Sequence, residues 1–330
     1  VLTRCTLTDL GAGGVFAGRA KRNPDYTIED TRVSPRDDNL PCPPVFDYSP
    51  RAVAFLEVSD CEIADAGKVN AEGVGVLLTH VSDSRVVHND IHDILYSGVS
   101  AGWVWGYLGS VAQRNEIAFN RIRNLGAGVM SDLAGVYTLG TSHGTVVSNN
   151  VIANVKARHY GGWGLYADEG TEGVVFENNL VHDTFDGGFH QHYGRNNVVR
   201  NNIFAYSDRD QIAVTKGERH LSLAFLDNIV LWNLAKRGED HALLRSEGTA
   251  QGKARIVFQG NLWWNEGGET NLRAGVPFAA WQREGNDLLG AAVDPKFVDA
   301  AERDFRLRLD SPAFAGGFRP LDVSRAGVRR

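Results

Sequence analysis

The chain has 330 residues, 43% of them hydrophobic and 22% charged, which is enough apolar material for one large domain or two. Its net charge is −6 with both signs interspersed, so no basic stripe points to nucleic acid, and no apolar run reaches the length of a membrane span. Glycine is abundant, 37 residues against ten prolines, which suits many tight turns in an ordered chain.

From the first residues onward one short motif recurs. Cys5 (Cys-Thr-Leu-Thr-Asp), Thr31 (Thr-Arg-Val-Ser-Pro) and Cys61 (Cys-Glu-Ile-Ala-Asp) open it. Asn89, Asn120, Asn150, Asn179, Asn202, Asn228 and Asn261 continue it at intervals of about 23 to 33 residues. Each unit places a polar residue first and an apolar one two positions later. Two further on there is usually an Asn or Asp. Alternation with period two predicts strands. A strand in one unit cannot bury its apolar face alone, whereas stacked units build a continuous core.

The expected fold is all-β, a right-handed parallel β-helix of about ten coils over 1–272, with a Pro- and Asp-rich loop inserted at 34–50 and a capping segment at 273–330. Aligned asparagines would form a hydrogen-bonded ladder. Cys5 and Cys61 read as small buried members of that column, and neither Cys-x-x-Cys nor a Cys/His metal spacing occurs. His88, His92, His182 and Asp183 fall in or near the ladder and read as turn residues. Val1 opens directly into structured-looking sequence, which reads as a processed form or a fragment.

A second strand follows in most units, bracketed by glycines. Aligned on the first glycine, Val136, Leu165, Phe189 and Ile212 share an inward column. Tyr137, Tyr166 and His190 share the next column and point outward. Asp168, His192 and Thr215 form another outward column, followed at the turn by Glu169, Tyr193 and Lys216. Trp103 and Trp105 extend this face on one side, or else pack a lateral loop; Trp163 precedes Gly164. Aromatic faces stack on the C–H faces of sugars, and carboxylates and imidazoles bond hydroxyls, so a carbohydrate-binding face is expected.

Four motifs carry a resemblance. They are Ser97-Gly-Val-Ser-Ala-Gly-Trp-Val-Trp-Gly106, Ser131-Asp-Leu-Ala-Gly-Val-Tyr-Thr-Leu-Gly140, Gly161-Gly-Trp-Gly-Leu-Tyr-Ala-Asp-Glu-Gly170 and Gly187-Gly-Phe-His-Gln-His-Tyr-Gly194. From about Ala52 to Asp310-Ser-Pro the chain resembles bacterial parallel β-helix proteins akin to glycoside hydrolase family 141, which contains α-L-fucosidase and xylanase activities. Members are generally longer at their N-terminus. The resemblance implies a catalytic pair of aspartates, matched here by Asp132 and Asp168, with Glu169 in reserve as a second carboxylate. It also implies export, to the periplasm or outside the cell, and a polysaccharide or oligosaccharide substrate from plants or algae.

By frame, Asp132 lies opposite Gly161, and a bend before Gly135 would have to bring it round to Asp168. Asp132 is then expected as the acid and Asp168 as the ionised partner. Trp103, Trp105, Tyr137, Trp163, Tyr166, His190, His192, Tyr193 and Lys216 are expected to bind substrate. No cofactor or metal is called for, and a monomer is expected. A polysaccharide lyase or epimerase would draw instead on Lys216, Arg195, His190 and Tyr193, although no acidic cluster reads as a Ca²⁺ site. A binding solenoid without catalysis is the other alternative.

Overall fold

A computed structural model describes residues 1–18, 53–233, 244–248, 254–273 and 275–329. The chain is a right-handed parallel β-helix. Three long parallel sheets run along it. The first has nine strands, from Leu2–Thr3 to Arg255–Gln259. The second has ten, from Thr6–Leu7 to Ala291–Ala292, and the third has eight, from Val15–Ala17 to Leu244–Gly248.

The Asn column stands at the corner between the first and second sheets. Asn150 shows the pattern: its backbone N–H and side-chain Nδ2 both donate to Asn179 Oδ1, each at 3.0 Å, and Nδ2 also donates to Ile117 O at 2.9 Å. The column ends on Asp287, which takes the amide of Asn261. At its start, the Cys61 N–H donates to Asn89 Oδ1 and the Cys5 N–H approaches Cys61 Sγ, so both cysteines sit in the ladder, Cys61 buried as expected and Cys5, at the end of the column, only half-buried. The Asn or Asp later in each unit has a different cause. Asp65, Asp93, Asn124, Asn154 and Asp183 all have φ between 53° and 56°, the left-handed region that these short polar side chains tolerate best. His88 also takes a left-handed turn, with φ 57°, and stacks on Phe119.

Glycines bracket the third sheet for a steric reason. Gly98 packs where a Cβ would sit 2.6 Å from Ile122 Cγ2 and 2.8 Å from Gly135 O. Gly75, Gly135 and Gly164 meet the same pair of obstacles, an inward side chain of the second sheet and the carbonyl of the next glycine. Inside, small aliphatics give way to aromatics: Phe204, Phe225 and Trp263 stack with centroids 5.8–5.9 Å apart.

Two expectations change. The Thr31 unit, with the 34–50 loop, lies outside the described residues. Thr6–Leu7 pairs directly with Glu62–Ile63, so the Cys5 and Cys61 units are neighbours in the second sheet. The C-terminal segment also divides. The helix Phe278–Arg283 buries Phe278 and Trp281 and closes the end of the solenoid. Residues 293–329 instead run back along the outside. Phe305 and Phe318 cover Leu180, Ile203, Ile229 and Leu262. Arg303 pairs with Asp183, and Arg329 reaches Asp60.

Candidate active site

The third sheet carries the columns read from the sequence. Tyr137 pairs with Tyr166, Tyr166 with His190, His190 with Ala213 and Ala213 with Arg245. Tyr166 and His190 stack with centroids 4.9 Å apart and planes 6° from parallel. Trp163 lies against both, at 4.2 and 4.3 Å. This floor belongs to an open cleft of about 670 Å³.

Asp168 follows the strand Trp163–Ala167 and is buried. One of its oxygens accepts from Tyr166 Oη at 2.7 Å and the other from Tyr137 Oη. Burial and the Asp168 charge push both phenols well above the ordinary tyrosine range, so they remain protonated donors.

Asp132 does come round. Its backbone N–H donates to Tyr160 O at 3.1 Å, which keeps it opposite Gly161, and its φ of 61° supplies the bend. A Cβ at Gly161 would sit 2.7 Å from the Asp132 nitrogen, so only glycine fits beneath it. The Asp132 side chain enters the cleft beside the hydroxyl of Tyr166. Burial, and then repulsion from Asp168, push its carboxyl up to about 6. The two carboxyls therefore converge from adjacent coils on one phenol.

Glu169 lies in the turn after the strand and faces the cleft. Tyr193 Oη donates to its Oε2 at 3.2 Å. Its carbonyl accepts from Gly106 and Gly140, which ties the loop carrying Trp105 to the wall of the site. His190 Nε2 and His192 Nδ1 both meet Thr215 Oγ1, at 3.0 and 2.9 Å. Burial, then the nearby Arg245 and His192, hold His190 well below the ordinary imidazole value, so its ring is neutral.

Of the residues expected at the site, Asp132, Asp168, Glu169, Trp105, Tyr137, Trp163, Tyr166, His190, His192 and Lys216 line one cleft. Trp103 does not line it; it supports Trp105 edge-on at 5.0 Å. Tyr193 does not line it either; its hydroxyl donates to Glu169. Arg195, a candidate for the lyase alternative, faces elsewhere and pairs with buried Glu172 at 2.9 Å beneath Tyr107. The sequence reading omitted Tyr96, Tyr160, Asp186, Arg209 and Arg245, all of which line the cleft, and it placed Thr215 in a column without assigning it to the site. Tyr96, Tyr160 and Asp186 stand two to four positions before a column glycine, on the same kind of approach as Asp132. That shared position was the available signal.

Residues 134–221 match the profile of the family described as "Right handed beta helix region". No curated protein matches the chain. A solved structure named "Glycoside hydrolase" is similar over 61% of this chain, at 24% identity and a TM-score of 0.49. The similar part is 32% of that structure, so the chain spans about a third of its length.

Proposed function

We propose that the cleft hydrolyses a glycosidic bond, with Asp132 and Asp168 as its two carboxyl groups. One observation carries this reading: two carboxyls from neighbouring coils meet at the Tyr166 hydroxyl over an aromatic floor, and their environments differ. Such a pair divides the two roles that glycoside hydrolysis needs. Asp132, which holds its proton up to about pH 6, donates to the leaving oxygen. Asp168, both of whose oxygens accept phenol hydrogen bonds, supplies the carboxylate that attacks the sugar or activates water. Trp163, Tyr166 and His190 offer flat faces to sugar rings. Glu169, braced by Tyr193, is the third carboxyl of the cleft. The resemblance to glycoside hydrolase family 141 supports an α-L-fucosidase or xylanase type of activity on a plant or algal polysaccharide outside the cytoplasm.

Product release from a panel of such polysaccharides and aryl glycosides tests the reading. The wild type should release saturated sugar, and Asp132→Asn and Asp168→Asn should each slow release about a hundred- to ten-thousand-fold. Glu169→Gln should retain most of the rate. An unsaturated product absorbing in the near ultraviolet, or release that survives Asp168→Asn, would refute the assignment.

A further inference from the structure

The cleft is ordered by charge along the helix axis. Asp132, Asp168 and Glu169 stand on the fourth and fifth coils. His190 and His192 follow on the sixth. Asp186 precedes that sixth-coil strand, and Arg209, from the approach to the seventh, reaches back to it and to His159 O; Lys216 is on the seventh and Arg245 is on the eighth. The outward column changes at the same place. Tyr137, Tyr166 and His190 form a raised aromatic floor; then comes buried Ala213, and Arg245 stands beyond it. Thr215, Lys216 and Arg245 line the cleft at this end.

The arginines are braced. Arg209 lies over the Phe185 ring at 4.7 Å, donates to His159 O at 3.2 Å and approaches buried Asp186 at 3.5 Å. Arg245 is 3.1 Å from buried Asp210. A guanidinium presents its donors in a fixed fork, which suits it to a planar or tetrahedral oxyanion. Lys216 is exposed, and its ammonium lies 5.6 Å from the centre of the Tyr193 ring.

We infer that this end of the cleft is an anion subsite, which takes the carboxylate or sulfate of an acidic saccharide whose other end reaches the Asp132–Asp168 pair. The inference rests on the carbohydrate reading above and gives it a substrate class. Coils stack at about 4.8 Å, so Thr215 and Arg245 lie about two and three rungs, roughly 10 and 14 Å, from Asp168. That span corresponds to neighbouring sugars of one chain and not to a substituent on the ring being cleaved.

Calorimetric titration of the whole chain with trigalacturonate, sulfated galactotriose and unsubstituted galactotriose tests this. At least one anionic trisaccharide should bind about tenfold more tightly than the neutral one, since each charged hydrogen bond contributes that order. Which one does so assigns the carboxylate or the sulfate. Raising the ionic strength from about 0.02 to about 0.5 M should remove most of the advantage. Lys216→Asn keeps a residue suited to the left-handed backbone there (φ 51°) and should cut the preference, as should Arg245→Gln. Equal binding of all three, binding of none, or a preference that survives both variants would overturn the subsite. Cleavage of neutral glycans without acidic preference would overturn it and leave the hydrolase reading standing. Tight acidic binding without cleavage of any glycan would do the reverse.

Discussion

At the scale of the residue, the site depends on one carboxyl being made expensive to ionise. Asp132 is pushed up to about 6 from an ordinary value of 3.8. Folding therefore favours its protonated form, and the sign of the linkage follows. The stability associated with its proton is fully present below about pH 4 and is lost as pH rises through about 6. Thermal unfolding of Asp132→Asn should consequently show a higher Tm than wild type at pH 8 and the same Tm at pH 4. The rate of the proposed reaction should fall on the alkaline side of pH 6, because the acid form disappears there. A Tm gain at pH 4 instead would mean that the buried carboxyl is not the cause. Two phenols from two rungs, Tyr137 and Tyr166, donate to Asp168.

At the scale of the element, the repeat is held by two columns with opposite requirements. The Asn column needs a side chain that donates and accepts at once. Asn150→Ala would leave Ile117 O and two Asn120 donors unmatched in a dry corner and would remove one of the two contacts to Asn179 Oδ1, the backbone N–H keeping the other. Denaturant unfolding should show a loss of about 3 kcal/mol or more. Asn154→Ala, on the exposed left-handed column, loses one exposed partner and acquires a disfavoured φ of 55°, and should cost about 1 kcal/mol. The glycine column needs no side chain at all. Gly98→Ala forces a methyl group against Ile122 and the Gly135 carbonyl and should cost about 2–3 kcal/mol by the same measurement. If Asn150 and Asn154 proved equally costly, burial would not be what separates the two columns.

At the scale of the molecule, the returning segment 293–329 is part of the fold. The outward position after each ladder residue is charged or polar early on, with Glu62, Asp90 and Arg121. It becomes Leu180, Ile203, Ile229 and Leu262 where the segment lies over it. Ending the chain at residue 292 should expose that stripe and shift the protein from monodisperse to aggregated in light scattering. The far end is fastened electrostatically. Arg329 bonds Asp60 through Nε at 2.8 Å and Nη2 at 2.6 Å, and this holds the Asp60 carboxyl down at about 2. A lowered carboxyl contributes stability above its ordinary value, and that contribution is lost as pH falls through about 2. The protection factor of the Gly327 amide, which donates to Phe119 O at 2.8 Å, should fall on acidification toward pH 2. Asp60→Asn should show the lower protection already at neutral pH.

The period of the motif determined the solenoid, because strict alternation with a recurring Asn can bury its apolar face only by stacking on copies of itself. Columns within one strand type were legible for the same reason, and Tyr137, Tyr166 and His190 align as their spacing requires. Relations between different parts of a coil were not. Whether Asp132 meets Asp168 depends on a left-handed residue and on the room above Gly161, and neither has a period. Tyr96, Tyr160, Asp186, Arg209 and Arg245 join the cleft from approaches of unequal length. The motif's frame sets Thr31 between Cys5 and Cys61, yet Thr6–Leu7 pairs directly with Glu62–Ile63. Local patterning determined which residues share a column; only the closed coils decided which columns, loops and tail face one another, because those contacts join residues whose separation along the chain follows no repeat.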